Sequence, residues 1–513
     1  MSQPLSPFTV CFELENADTS KINVPLELEQ GPIKFGIINL QAITATETEK
    51  ELEVLFMVDC SGSMSDKCSD GRSKMQHIIH TLQNMITFFV EKPEININIT
   101  VTAFDTQIYP IVLRTKINRT NMMSVLNKID EIRPKGNTDI GFALHHSGEY
   151  IYELMTEHCD HVYHHIFMTD GEATTGLTDV KELSHYIIKT INNSFIGFGL
   201  QHDSIIMDGI SSHGKCAYYF IDKLESAGLV YGEILHGIVY NLLTDSTIYI
   251  NGGLVYNFKM NEWTNRLLVG DIVSETNKTF NIISINPLEC DVTIRAKQDG
   301  TIVSYTATPI ENTSLVSQIY RLRTLQLLYK VNDFCKTWKE HRPNIMLKGE
   351  LFNFMEEMKS YMDDMHLNND KFLKNLCDDI YICYKTLGTK YAAMFCKARQ
   401  LSQGNQRLYT VSNIDEIVNN SLNQYMFGSN HVFGQTPLRH NRNNISLDEY
   451  EVHLQSVDLG EYQVELEHQV SDFCDTPYLT QQATQIMRYV SSSDGNVADD
   501  EDDNDSVMTQ SMF

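Results

Sequence analysis

The rhythm of apolar positions changes several times along the chain. Residues 8–14, 22–28 and 33–44 are short extended pieces with no helical period. The run Val54-Leu55-Phe56-Met57-Val58 is then closed abruptly by Asp59-Cys60-Ser61-Gly62-Ser63. An unbroken apolar run bounded by a turn predicts a strand buried on both faces. Residues 73–91 carry Met75, Ile78, Ile79, Leu82, Met85, Ile86 and Phe89 at helical spacing, stopped near Pro93. Residues 95–101 alternate strictly, as a half-exposed strand does. A strand at 107–113 and helices at 119–131 and 139–155 follow. Residues 165–169 form a second buried strand ending in Asp170-Gly171-Glu172. The remaining units are a helix at 178–190, strand 194–199, helix 203–212, strand 216–221 and helix 223–243. Strands alternating with helices predict an α/β fold, a doubly wound, mostly parallel six-stranded sheet covered on both faces.

Residues 244–310 change character. Short apolar runs separated by Gly, Asn and Asp turns predict strands at 247–250, 254–258, 266–269, 279–285, 291–296 and 302–307. An antiparallel sandwich built from these and the early segments at 8–45 leaves fewer unpaired edges. Residues 311–403 turn helical: Leu315, Ile319, Leu322, Leu325 and Leu328, continuing to Cys335 and Trp338, follow a three-to-four spacing. Two more stripes run from Leu351 to Met365 and from Phe372 to Leu387, with a last segment over 391–401. Such stripes predict the core of a small bundle. From about 411 periodicity fades into Asn, Ser and Gln-rich sequence, read as linker and a largely disordered acidic tail to 513. One island interrupts it. Thr480 caps a short helix at 480–490 presenting Ala483, Ile486, Met487 and Val490, a shape suited to docking in a groove.

Composition narrows the function. The net charge is −27, of which seven acids and no bases fall between Asp494 and Asp505. That balance argues against nucleic-acid binding, which rests on neutralising phosphates with Lys and Arg. No apolar stretch approaches the length of a membrane span, and no secretory signal is visible at the N-terminus. The 11 cysteines include no Cys-x-x-Cys pair. Reduced thiols and a cytoplasmic location are the expectation.

The chemistry gathers where strands end. In open α/β sheets, ligands bind at the carboxyl ends of the strands. The spacing Asp59-x-Ser61-x-Ser63 puts three oxygen side chains in one such loop. These are hard ligands with too few carboxylates for a calcium cage, and Mg²⁺ suits them best, Mn²⁺ or Ca²⁺ being alternatives. With Thr138 in Gly-Asn-Thr-Asp-Ile-Gly and Asp170 in Met-Thr-Asp-Gly, the pattern resembles a von Willebrand factor type A domain over roughly 50–243. The resemblance implies a metal-ion-dependent adhesion site. In it Ser61, Ser63 and Thr138 would ligate Mg²⁺, and Asp59 and Asp170 would bind it directly or through water. It also implies a partner's Asp or Glu completing the octahedron.

Neutral hydroxyl ligands leave residual positive charge on the ion, which suits docking better than hydrolysis. His202 and Asp203 follow a strand at the same edge but are not expected to take part. The segment from Gly209 to Cys216 nearly spells a phosphate loop, yet it runs from helix to strand and lacks the final hydroxyl, so it reads as a turn. His158, Cys159, His161, His164 and His165 fit no standard zinc spacing. Asp66, Lys67, Asp70 and Arg72 read as a solvated loop beside the metal face. The expectation is an intracellular, non-enzymatic adaptor. It binds a protein partner through the metal, with no small-molecule substrate evident. A structural scaffold stabilised by the metal is one alternative, and an accessory subunit of a ubiquitin ligase is the other, although no RING ladder or U-box is visible.

Overall fold

The computed structural model describes residues 8–13, 17–18, 20–25, 32–44, 51–212, 214–221, 227–298, 300–310, 314–337, 344–389, 391–407, 478 and 480–491. Trp338, the segment 411–477 read as linker and the acidic stretch 494–505 lie outside them.

The chain opens with β1 (Phe8–Phe12) and β2 (Lys34–Gln41). Next come β3 (Leu52–Asp59), α1 (Lys74–Val90), β4 (Ile97–Phe104), β5 (Ile108–Lys116), α2 (Met122–Asp130), α3 (Ile140–Glu157) and β6 (Val162–Thr169). The α/β part closes with α4 (Val180–Leu183), β7 (Asn192–Phe198), α5 (Ser204–Ile210), β8 (Cys216–Ile221) and α6 (Gly228–Val239). Its sheet has the order β5-β4-β3-β6-β7-β8, parallel except where β5 runs antiparallel to β4. Every residue of β3 is buried. Its side chains alternate: Val54, Phe56 and Val58 pack with α1, α2 and α6, whereas Met57 packs with α3 and α5. The doubly wound sheet expected from the alternating pattern is thus present.

Among the expected boundaries that move, two have a plain local cause. The helix expected over 178–190 is only α4, because the Ser184 hydroxyl donates back to the Val180 carbonyl (2.7 Å) and the chain leaves in turns. The run at 223–243 holds α6 and then enters a strand at Asn241, since Leu243 faces the next core rather than the helix stripe.

That strand is β9 (Asn241–Asn251), followed by β10 (Leu254–Asn257), β11 (Glu262–Thr264), β12 (Arg266–Val273), β13 (Asn277–Ser284), β14 (Asp291–Gln298), β15 (Thr301–Thr306) and β16 (Thr308–Pro309). One sheet has the order β11-β10-β13-β2-β1-β16 and the other β12-β9-β14-β15. β2 pairs with β13 along its whole length, from Lys34 opposite Ser284 to Gln41 opposite Asn277. Phe8, Ile38 and Leu40 meet Ile248, Ile250 and Ile294 between the sheets. The sandwich therefore draws strands from both flanks of the α/β unit. The described residues near 22 form no strand; Asn23 instead accepts from Trp263 Nε1 through its carbonyl (2.7 Å).

The helical region comprises α7 (Val316–Thr337), α8 (Ile345–Asp364), α9 (Lys371–Thr386) and α10 (Ala392–Asn405). Leu328, Leu351, Met355, Leu376 and Ile380 form its core. Phe395, Ala398 and Leu401 of α10 reach out to the core beneath β8 and α5, with Phe395 edge-on to Phe220 at 5.3 Å.

The last element, α11 (Gln481–Ser491), docks on the chain itself. Thr480 Oγ1 accepts from Ala483 N (3.1 Å), and Ala483, Ile486 and Val490 are buried. The Asn84 side chain donates to the Val490 carbonyl (2.8 Å), and Tyr489 stands edge-on to Phe88 at 5.7 Å. α6 admits α11 closely because it lacks a side chain at Gly232, where a Cβ would stand 2.8 Å from Met487 Cα. Gly232→Ala should therefore loosen α11 despite a gain in helix propensity of about 1 kcal/mol. Hydrogen exchange is expected to rise over 480–491 and stay unchanged over β3. Unchanged protection of 480–491 would mean that α11 is not seated on α6.

Candidate metal centre

Asp59 is the last residue of β3, at the carboxyl edge of the sheet. The chain must turn there, and Cys60 N still donates to the Phe104 carbonyl of β4 (2.7 Å) before a short 3-10 turn over Gly62–Ser65. The Asp59 carboxylate is fully buried. Its Oδ1 accepts from Ser61 N (2.7 Å) and its Oδ2 from the Thr169 hydroxyl (2.6 Å). Burial pushes its pKa up to about 6, against the pull of those hydrogen bonds, and the neighbouring Asp170 carboxylate adds to the rise.

The second loop is tied to the first by its backbone. Lys135 N donates to the Cys60 carbonyl (2.7 Å) and Gly62 N to the Gly136 carbonyl (3.0 Å). Gly136 has φ +70°, and a Cβ there would collide with the Asp105 carboxylate. Thr138 is held by both its backbone groups: its N donates to Thr174 Oγ1 (2.9 Å), and its carbonyl accepts from Thr174 N and Thr175 N (3.1 and 3.2 Å).

The third loop leaves β6 at Asp170. A line of oxygens joins it to the first: Ser61 Oγ lies 3.1 Å from Ser63 Oγ, and the Ser63 hydroxyl donates to Asp170 Oδ1 (2.7 Å). Gly171 keeps the centre open, since a Cβ there would lie 3.5 Å from Thr138 Oγ1 and 3.7 Å from Ser63 Oγ. The structure thus brings Asp59, Ser61, Ser63, Thr138 and Asp170 to one place.

Two participants escape a reading of the sequence. Thr169 precedes Asp170 and alternates away from it along β6, so its bond to Asp59 follows only from strand pairing. Lys74, in the first turn of α1, donates from Nζ to Asp170 Oδ2 (2.6 Å) and to Asp66 Oδ2 (3.3 Å). Burial works against the Lys74 ammonium, but these two carboxylates outweigh it and leave its pKa raised. The rest of the polar loop is self-contained: Asp70 pairs with Arg72 at 2.6 Å and with His77 at 3.1 Å.

Other candidates fall elsewhere. His202 is buried, with Nδ1 2.8 Å from the Gly199 carbonyl and Nε2 2.5 Å from the Tyr218 hydroxyl; burial pushes its pKa down to about 4. Asp203 caps α5. His161 pairs with Glu53 at 2.8 Å, and His165 with Asn193 at 3.1 Å.

The donor set fits a hard dication. Among the described residues no group of three or more His, Cys, Asp and Glu side chains could hold a metal. The centre instead offers two buried carboxylates and three hydroxyls, the oxygen chemistry that Mg²⁺ prefers. The charge also fits, because two ionised carboxylates face one ammonium.

Two outcomes follow. Without divalent metal, the ionised Asp59 carboxylate weakens the fold above its raised pKa, by on the order of 1–3 kcal/mol, a penalty that fades as pH falls toward the unfolded value. Mg²⁺ needs the ionised form, so its stabilising increment in Tm should be full near about pH 7.5 and lost below about pH 5. Lys74→Met removes the ammonium from Asp170. It should lower metal-free stability by about 2–4 kcal/mol while tightening Mg²⁺ about tenfold in calorimetric titration. Weaker Mg²⁺ binding in this variant would show that Lys74 does not compete for the carboxylate.

The family model described as the von Willebrand factor type A domain matches residues 53–232. Among solved structures, the chain is similar to a von Willebrand factor type A protein from Catenulispora acidiphila at 12% identity and TM-score 0.43, over 78% of this chain and 91% of that one. It is likewise similar to VWA2, an ArnB paralog from Sulfolobus acidocaldarius, at 11% identity and TM-score 0.45, over 78% and 100%. A third is proximal thread matrix protein 1 of the mussel byssus, with a zinc-occupied MIDAS motif, at 16% identity and TM-score 0.32, over 40% and 51%. No curated protein matches the chain. Residues 53–232 form a von Willebrand factor type A domain, set among added β sheets and a C-terminal helical region.

Proposed function

We propose that the chain is a protein-binding adaptor whose face at Asp59, Ser61, Ser63, Thr138 and Asp170 holds Mg²⁺ and takes an Asp or Glu from a protein partner. The observation that carries this reading is the buried pair Asp59 and Asp170, only partly compensated by Lys74, beside three convergent hydroxyls. A dication answers that charge. Neutral hydroxyls then leave it electrophilic enough to attract one more carboxylate.

Supporting the non-enzymatic part of the reading, His202 is turned inward and kept neutral by burial, so it offers no base to the metal face. No disulfide joins any two of the described cysteines, which suits a reducing, intracellular setting. No helix among the described residues is long and apolar enough to cross a membrane.

The test is retention of a partner from native lysate on the immobilised chain in Mg²⁺, released by chelator and absent with Asp59→Ala. Retention that survives both chelation and Asp59→Ala would contradict the adaptor reading. A Tm that falls on chelation with associations unchanged would favour a scaffold in which the metal serves only stability.

A further inference from the structure

A cavity of about 910 Å³ lies away from the metal face, where β8, β13 and the end of α10 come together. Its size is that of a small-molecule site, for which about 300–1,000 Å³ is usual. Its wall is unusual for a chain of net charge −27, because cations gather there. Lys259 comes from the turn after β10, Lys278 from β13, and Arg407 from just past α10.

Four of the eight lysine and arginine side chains lining the cavity have a carboxylate partner among the described residues. Lys397 holds Asp208 at 2.9 Å and Lys215 holds Asp245 at 2.7 Å. Lys259, Lys278 and Arg407 are different: among the described residues none has an Asp or Glu at ion-pair distance. Arg407 spends its guanidinium on the Tyr218 carbonyl and on the face of the Tyr219 ring, 4.0 Å from the centroid.

The two ammoniums are consequently held below the ordinary lysine pKa. For Lys259 the cause is burial, then repulsion by Arg407 and Lys397, with Cys216 and Asp208 pulling the other way. For Lys278 it is burial, opposed first by attraction to Glu233, with a smaller repulsion by Arg407 adding to it and Asp271 opposing in turn. Lys259 is exposed and Lys278 and Arg407 are half-buried, so an anion entering the cavity can reach all three, and cations gathered without paired carboxylates attract one.

We propose that this cavity binds a small polyanion, a compound carrying two or more phosphate groups, through Lys259, Lys278 and Arg407. The volume limits the occupant to a compact molecule. Three cations lining one cavity call for several negative charges within that space, met by the two ammoniums and by the guanidinium N–H groups that the Tyr218 carbonyl does not take. The site draws on β8 at the edge of the α/β sheet, on the sandwich and on α10. A bound anion would therefore bind these units together.

The probe is inorganic tripolyphosphate, titrated calorimetrically into the full chain in metal-free buffer, with sulfate at matched ionic strength as the control. The wild type is expected to bind tripolyphosphate and to gain thermal stability beyond the sulfate control. The double substitution Lys259→Met and Lys278→Met should weaken binding at least tenfold and raise the Tm of the unliganded protein. Lys128→Met, on the exposed face of α2, should bind as the wild type does. A second measurement needs no variant: limited acetylation of the wild type, read by mass spectrometry, should modify Lys259 and Lys278 readily and be slowed there by tripolyphosphate. Absence of binding beyond sulfate, or equal binding by the double variant, overturns the proposal. So does acetylation of both lysines that is blocked equally with and without tripolyphosphate, as it would be if acids of the chain itself filled the cavity.

Discussion

Two carboxylates, Asp59 and Asp170, are taken fully out of water at the carboxyl edge of a parallel sheet, and among the described residues only one ammonium reaches them. Much of the surrounding architecture maintains this arrangement. Asp59 stays put because both its oxygens accept hydrogen bonds, and because β3 lies between β4 and β6 with every side chain buried. The loop carrying Thr138 is pinned to the first loop through Lys135 and Gly136 and to the third through Thr174 and Thr175. A centre whose backbone is fixed on three sides, but whose charge is unbalanced, is preorganised for a cation.

Lys74 gives the centre a second state. Its ammonium bridges buried Asp170 and exposed Asp66, so it neutralises part of the charge and stands where a metal's claim on Asp170 would be contested. A divalent ion must therefore outbid a tethered monovalent one. The remaining units brace this face from a distance. Strands from both flanks close one sandwich, α10 supports the underside of β8, and α11 lies against α6 and α1, the helix that carries Lys74.

Much of the α/β fold was legible in the sequence because buried strands, amphipathic helices and strand-end polar loops are local patterns. Asp59, Ser61 and Ser63 share one loop, and Thr138 and Asp170 each follow a recognisable turn, so the candidate ligands could be named by spacing and resemblance. Lys74 could not. It meets Asp170 across 96 residues of sequence, and a lysine opening a helix is ordinary. Element ends misled where one apolar run served two cores, as at Leu243, or where Ser184 turned back on its own helix. The cation-lined cavity was invisible for a similar reason, since Lys259, Lys278 and Arg407 come from separate elements and no motif joins them.

The central claim is that the surplus buried charge is answered by a divalent ion held among hydroxyls. The most direct measurement is a crystal of the chain grown in Mn²⁺, with an anomalous difference map computed at the manganese edge. The account predicts an anomalous peak bounded by Ser61, Ser63 and Thr138, with Asp59 and Asp170 beside it, and no such peak in crystals of Asp59→Ala. A wild-type map without that peak, with Lys74 still seated on Asp170, would contradict it.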